Sequence, residues 1–218
     1  FQLLTPGIPE LGGWVYMGLY DTQGYWYEFT GVMTNMAPTD AVRGAGRPEA
    51  TYVVERAVDA LARHVGKDPA EVRRISFAPS HAEAKPSLMG LQIDSADYLP
   101  AFERALELAD YDQYRKEQAS RRESREVKQI GIGLSSYIEM SGLAPSNILG
   151  ALRYAAGGWE AAQVRCQPSG KVTLNIGTSP HGQGHDTVWS QIAADELGVH
   201  PDDVEVLHGD TSTSPLGM

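Results

Sequence analysis

Two glycines, a glutamine and two histidines stand directly before a helix-like run in "TSPHGQGHDTVWSQIAADELGV", residues 178–199. Gly182 and Gly184 free the backbone for a sharp turn and for close approach to a ligand. Asp186 and Thr187 follow at positions suited to a helix cap and first turn. A helix opening there aims unsatisfied N–H groups and a positive dipole end forward, which suits a phosphate. The same residues also serve as a plain strand-to-helix turn with Gln183 and the histidines in solvent. A second cluster, "RGAGRPEA" (43–50), precedes a long helix and leaves the same two readings open. Neither cluster carries the Lys-Ser/Thr of a P-loop or G-x-G-x-x-G after a strand, which argues against mononucleotide and Rossmann sites. A third, "AAGGWE" (155–160), reads as the start of a strand with Trp159 in the core.

The remaining reactive side chains form no constellation. His181 and His185 are four apart, but the intervening glycines make them straddle a turn, so they do not form a metal pair on one helix face. His64 falls near a helix C-terminus and reads as a dipole partner or a solvated residue. Ser146 and Ser179 have no evident base, and no carboxylate pair is marked for acid–base work. Cys166 is the one cysteine. It excludes an internal disulfide and a cysteine cage for zinc or iron–sulfur, and it fits a reducing, cytoplasmic setting. Within the 163–167 strand its expected role is a buried, unreactive thiol.

The elements that must position these residues follow from pattern. Residues 13–34 carry aromatic and β-branched runs split by "DTQG", a strand–turn–strand signal. After a Pro- and Gly-punctuated loop, Val54, Ala57, Val58, Leu61 and Val65 recur at helical spacing, and Gly66 ends that helix. Asp68 caps a second, short helix with Pro69 in its first position. Residues 78–98 read as a long surface connection and 98–126 as a charged helical segment. The stretch "VKQIGIGLSSYIEMSG" reads as a strand, "WEAAQVRCQPSGKVTLNIGTSP" as a hairpin, 186–197 as a helix and "VHPDDVEVLHGDT" as a further strand. Short strands mixed with packed helices indicate an α+β fold. A boundary near 127 divides the chain into 1–126 and 127–218.

Composition bounds the partners. The 218 residues are 42% hydrophobic and 21% charged, an ordinary globular balance. A net charge of −10 argues against nucleic acid or an anionic membrane as the main partner. No window approaches the roughly 18 apolar residues of a membrane span. The sequence starts at Phe1 and stops after "DTSTSPLG", giving the expectation of an internal piece of a longer chain.

Together, "APTDAVRGAGRPEATYVVERAVDALA" and "TSPHGQGHDTVWSQIAADELGV…DDVEVLHGDTSTSPLGM" resemble the molybdopterin-binding large subunit of the xanthine dehydrogenase / aldehyde oxidase / aerobic carbon monoxide dehydrogenase family. "IGIGLSSYIEMSGLAP" and "GALRYAAGGWEAAQVR" extend the resemblance across nearly all of the chain. It implies that 1–126 is the C-terminal part of a first cofactor-binding domain with a helical connection. By the same resemblance, 127–218 is the N-terminal part of a second. It also implies that Arg43 and Gly44 bind the cofactor, with the Arg43 backbone near molybdenum, and that Ala45 walls the substrate pocket. Gly182, Gln183 and Gly184 would hold the pyranopterin and its phosphate, with the Gln183 amide against the ring.

The implied reaction is hydroxylation of an aldehyde, an N-heterocycle or a similar small organic substrate with water-derived oxygen. The implied cofactor is molybdenum with molybdopterin cytosine dinucleotide, and the base glutamate is expected beyond Met218. Electrons would leave through iron–sulfur clusters on a small subunit to FAD on a medium subunit, in a dimer of heterotrimers. Two alternatives stand beside this: a carbon monoxide dehydrogenase-like large chain, and a non-catalytic structural piece. The first meets an obstacle in Gly44, because carbon monoxide enzymes of this family place a copper-binding cysteine at that position. A nucleotide-binding module unrelated to molybdenum is a third possibility.

Overall fold

The computed structural model describes residues 7–37, 39–140 and 160–215. The chain forms two compact units, Phe1–Met140 and Ser141–Met218. The expected start of a strand at "AAGGWE" lies outside the described residues except for Glu160.

In the first unit, α1 (Gly7–Val15) packs on α2 (Arg47–Val65). Residues 13–34 do not form the expected strand–turn–strand; they are the end of α1 and irregular backbone. The aromatic residues cover the helix instead. The Tyr25 and Tyr27 hydroxyls donate to the carbonyls of Gly13 (2.6 Å) and Pro9 (3.0 Å), and Tyr16 stacks on Tyr27. Burial first, then the neighbouring tyrosines, pushes the Tyr25 hydroxyl up to about 12.

Helix α2 runs where its periodicity places it and ends on Gly66, which adopts φ +68° and donates back to Ala62 and Arg63. Its buried face, however, is not the apolar stripe read from sequence. Ala50, Glu55 and Ala62 are buried, whereas Ala57, Leu61 and Val65 are exposed and Val54 and Val58 half-buried. The reason is α3 (Pro69–Ser76), capped as expected by the Asp68 side chain on the Ala70 N–H at 2.8 Å. From α3, Arg73 reaches α2 with no exposed surface and donates to Glu55 Oε2 (3.0 and 2.9 Å) and Asp59 Oδ1 (3.1 Å). Glu55 also accepts from the Tyr20 hydroxyl and, at 2.8 Å, from the Ser136 N–H. Burial works against the Arg73 charge, but Glu55, Tyr20 and Asp59 outweigh it and raise its pKa.

The charged segment after residue 98 is two helices, α4 (Tyr98–Leu108) and α5 (Tyr111–Glu123), broken at Asp110 with φ +49°. Phe102, Leu106, Tyr111 and Ala70 form the unit's apolar cluster. The 78–98 connection contains a two-residue ribbon, β1 (Lys85–Pro86) with β2 (Gln92–Ile93). Residues 127–140 are not a paired strand among the described residues. From Ile130 to Met140 the even-numbered residues are half-buried and the odd ones exposed, the period of an extended chain. Side chains take the place of a neighbouring strand. Gln118 donates to the Ile130 carbonyl at 2.8 Å, Arg73 to Leu134 at 3.0 Å and Arg47 to Met140 at 2.7 Å. This segment packs on the helices of the first unit, with Ile132 and Leu134 against its apolar cluster.

In the second unit, β3 (Ala162–Cys166) and β4 (Val172–Ile176) form the expected hairpin, and β5 (Val204–Leu207) joins β4 in parallel. Helix α6 (His185–Leu197) is the crossover between the parallel strands. Val172, Leu174 and Ile176 alternate into the core with Ala194 and Val204. Strand β3 is exposed throughout, so Cys166 is an exposed thiol and not the buried one expected. Among the described residues, β3 is the sheet's edge strand, paired only with β4.

Candidate functional site

In a β–α–β crossover the helix starts at the C-terminal ends of the parallel strands, where such folds bind ligands. Here the residues after β4, 177–184, and those after β5, 208–214, emerge at the same end of the sheet. They approach each other: a Cβ on Gly209 would stand 3.9 Å from Ser179 Oγ. Asp186 in the first turn of α6 lies 3.5 Å from His208 Nε2, tying the helix start to the chain beyond β5.

The glycine turn has the conformation its sequence requires. Gly182 and Gly184 adopt φ +100° and +74°, a region where L side chains are strained. Gly184 is the N-cap of α6 and supplies no side chain, so Asp186 and Thr187 belong to the first turn rather than the cap. Gln183 Oε1 accepts the His181 N–H at 2.5 Å, and His181 Nδ1 lies 2.9 Å from the Ser179 carbonyl. The Gln183 amide therefore helps to shape the turn itself. Among the described residues, the elements that meet here carry buried polar atoms with no partner: His185 Nδ1 and Trp189 Nε1 on α6, and Ser214 Oγ beyond β5. Asn175 Oδ1, in the last β4–β5 pair, is a fourth. Buried groups left unsatisfied are costly, and a hydrogen-bonding ligand relieves them. An anionic, heteroatom-rich group such as a pyranopterin with its phosphate fits this chemistry.

The 43–47 loop is built differently. Gly44, Ala45 and Gly46 have φ of +111°, +43° and +89°, three left-handed residues in succession, and Ala45 is the strained one. The Ala45 N–H closes a turn on the Val42 carbonyl at 2.8 Å. Space is tight on both glycines. A Cβ on Gly46 would lie 1.9 Å from the Ile8 carbonyl oxygen, and one on Gly44 2.4 Å from the Pro48 ring. A side chain at Gly44 would thus strike Pro48 before it crowded any ligand. Arg43 is exposed, while Gly44 and Ala45 are half-buried.

The structure gathers Arg43, Gly44 and Ala45 with Arg47, Glu139 and Met140, and it gathers Gly182, Gln183 and Gly184 with His181, Ser179 and α6. The two clusters belong to different units. Sequence reasoning missed Arg47, His185 and Trp189 as site components. The available signal for Arg47 was its position, since a cation at the positive end of a helix is electrostatically out of place.

A family profile described as molybdopterin cofactor-binding domain matches residues 104–218, and a second of the same description matches residues 2–77. The carbon monoxide dehydrogenase large chain of Hydrogenophaga pseudoflava is 37% identical over 92% of this chain and 25% of its own length. The 6-hydroxypseudooxynicotine dehydrogenase complex subunit gamma of Paenarthrobacter nicotinovorans is 30% identical over 100% of this chain and 26% of its own. Among solved structures, quinoline 2-oxidoreductase from Pseudomonas putida 86 matches with a TM-score of 0.83 at 30% identity, over 99% of this chain and 27% of that one. The chain spans about a quarter of the length of these relatives. No helix among the described residues is long and apolar enough to cross a membrane.

Proposed function

The chain belongs to the molybdopterin cofactor-binding domain family, and from that premise we propose that it is part of the large subunit of a molybdenum hydroxylase. The observation that carries this reading is the helix start at Gly184, where a glycine turn leads into α6 and, among the described residues, His185 Nδ1 and Trp189 Nε1 on that helix and Ser214 Oγ beyond β5 are buried without a partner. Gly182, Gln183 and Gly184 would hold the pterin and its phosphate through backbone N–H groups and the Gln183 amide. Arg43, Gly44 and Ala45 would line the approach to the metal, with Ala45 leaving room for substrate. When bound, molybdenum with molybdopterin cytosine dinucleotide supplies the two-electron chemistry by which water-derived oxygen enters the substrate. The chain's residues would orient that group.

The substrate class is an aldehyde, an N-heterocycle or a similar small organic molecule. Iron–sulfur and FAD subunits would complete the electron path, within a cytoplasmic dimer of heterotrimers. The 37% identity to a carbon monoxide dehydrogenase large chain supports a second reading, oxidation of carbon monoxide. Gly44 weighs against it, because glycine offers no soft ligand to copper(I) where those enzymes place a thiolate. Metal and CMP stoichiometry of the full-length protein with its partner subunits, then assays with carbon monoxide and an aldehyde panel, test both. Molybdenum and CMP without copper, with aldehyde turnover, is the expected result. Stoichiometric copper with faster carbon monoxide oxidation favours the second reading, and a complex without molybdenum overturns both.

A further inference from the structure

Arg47 occupies the first position of α2, where the helix dipole favours an acid and Glu49 supplies one. A guanidinium there is unfavourable unless something else holds it. Three groups do. Nε donates to the Gly44 carbonyl at 2.7 Å and lies 2.9 Å from Glu139 Oε1, and Nη1 donates to the Met140 carbonyl at 2.7 Å. The Arg47 N–H adds a longer bond, 3.2 Å, to the same Gly44 carbonyl. One planar side chain therefore joins the strained loop to the end of the extended segment, 93 residues away in sequence.

The loop needs such a fastening. Ala45 sits at φ +43° between two left-handed glycines, a conformation that persists only where its surroundings over-determine it. Gly46 is fixed by contact with α1, and the nitrogen end of the peptide joining Gly44 to Ala45 by its bond to the Val42 carbonyl at 2.8 Å. Its carbonyl end is held by Arg47, weakly through the backbone N–H at 3.2 Å and more closely through the guanidinium at 2.7 Å, so the guanidinium is the side-chain restraint on the rotation of that peptide and on the placement of Ala45. Departures from local helix rules of this kind mark functional sites.

We propose that Arg47 is a positioning residue: it clamps the Gly44–Ala45 peptide to the segment ending at Met140, and so sets the loop's geometry toward the cofactor and substrate. This rests on the molybdenum hydroxylase reading. The fork geometry is essential, because a lysine ammonium is a point charge that does not serve two divergent carbonyls in one plane.

The test compares the full-length complex carrying Arg47→Ala, Arg47→Lys and Glu139→Gln with its parent. Amide hydrogen exchange is measured over peptides 41–50 and 85–96, with molybdenum and CMP content per complex. Arg47→Ala is expected to speed exchange in 41–50 by about ten- to a hundredfold, the worth of charge-assisted bonds, and to leave 85–96 unchanged. Molybdenum content should fall with it. Millimolar guanidinium should restore slow exchange in Arg47→Ala, Arg47→Lys should share the defect, and Glu139→Gln should stay near the parent because Glu139 is half exposed. Parent-like exchange in 41–50 for both arginine variants overturns the clamp. Should Arg47→Ala fail to assemble, full recovery of slow exchange by Arg47→Lys overturns it equally. A parent complex without molybdenum overturns the functional reading instead, and the exchange result still decides the clamp.

Discussion

Arg73 and Arg74 are neighbours on α3, yet the structure assigns them opposite energetic weights. Arg73 has no exposed surface, and its side chain donates to Glu55, Asp59 and the carbonyls of Pro69 and Leu134. Arg74 pairs with Glu103 across a surface where the two side chains are 40% and 43% exposed. Arg73→Ala removes the cation and leaves Glu55, itself 5% exposed, with Tyr20 and the Ser136 N–H as its partners among the described residues. An uncompensated buried charge of this kind costs about 3–5 kcal/mol. Arg74→Ala loses a screened pair worth about 0–1 kcal/mol. Urea unfolding at neutral pH, followed by far-ultraviolet circular dichroism, measures both. Adding Glu55→Gln to Arg73→Ala neutralises the stranded carboxylate and should recover part of the loss. A difference between the two single variants of less than about 1 kcal/mol would refute the buried-charge argument.

Three further outcomes follow from the same geometry. Gly184→Ala meets no neighbour and should cost only the left-handed backbone, about 1–2 kcal/mol, whereas Gly46→Ala adds a clash with the Ile8 carbonyl and should exceed it by about 1–3 kcal/mol in the same unfolding assay. Gln183→Ala in the full-length complex should lower molybdenum and CMP content; equal occupancy would show that the amide only shapes its own turn. Burial opposes the Asp68 charge, but the Ala70 N–H, the Tyr111 hydroxyl and Arg115 outweigh it and hold its pKa below the usual range. A depressed carboxylate stabilises the fold above its unfolded value, about 4, and loses that contribution as pH falls through the folded value. Asp68→Asn should therefore flatten the acid limb of a stability–pH curve and leave the neutral side level.

Helix ends and the hairpin were legible because their signals are local. Gly66 as a left-handed stop, Asp68 before Pro69, and the alternation on either side of "PSG" each need only a few adjacent residues. The buried face of α2 was not legible. Its apolar stripe is left half-buried to exposed because Arg73 comes from another helix and needs Glu55 and Asp59, a demand that α2's own period does not reveal. Residues 13–34 failed for a related reason: aromatic alternation resembles a strand whether the rings pack on a sheet or, as here, on the carbonyls of α1. Cys166 was placed in the right strand but at the wrong depth, since burial depends on what covers β3 rather than on its sequence. Among the candidate site residues, the glycines and the His181–Gln183 pair that shapes their turn were visible, and Arg47, which fastens the 44–46 loop, was not.

The two glycine clusters answer one requirement in two ways, and the difference governs how each fails. Gly184 needs glycine only for its dihedral angles, since a Cβ there would meet nothing within 4 Å. Its turn is held by a local bond from His181 to Gln183 and by the helix that follows. Gly46 needs glycine for space, because α1 passes within contact of it, and the loop around it is fixed by Arg47 from one side and Ile8 from the other. A substitution in the 182–184 turn should therefore weaken the hold on a ligand with little loss of fold. A substitution in the 44–46 loop disturbs α1, α2 and the 139–140 segment together, so misplacement of the loop and loss of stability arrive as one effect. The second cluster can only be tested by changes that spare its packing, which is why the arginine beyond it is more informative than the glycines within it.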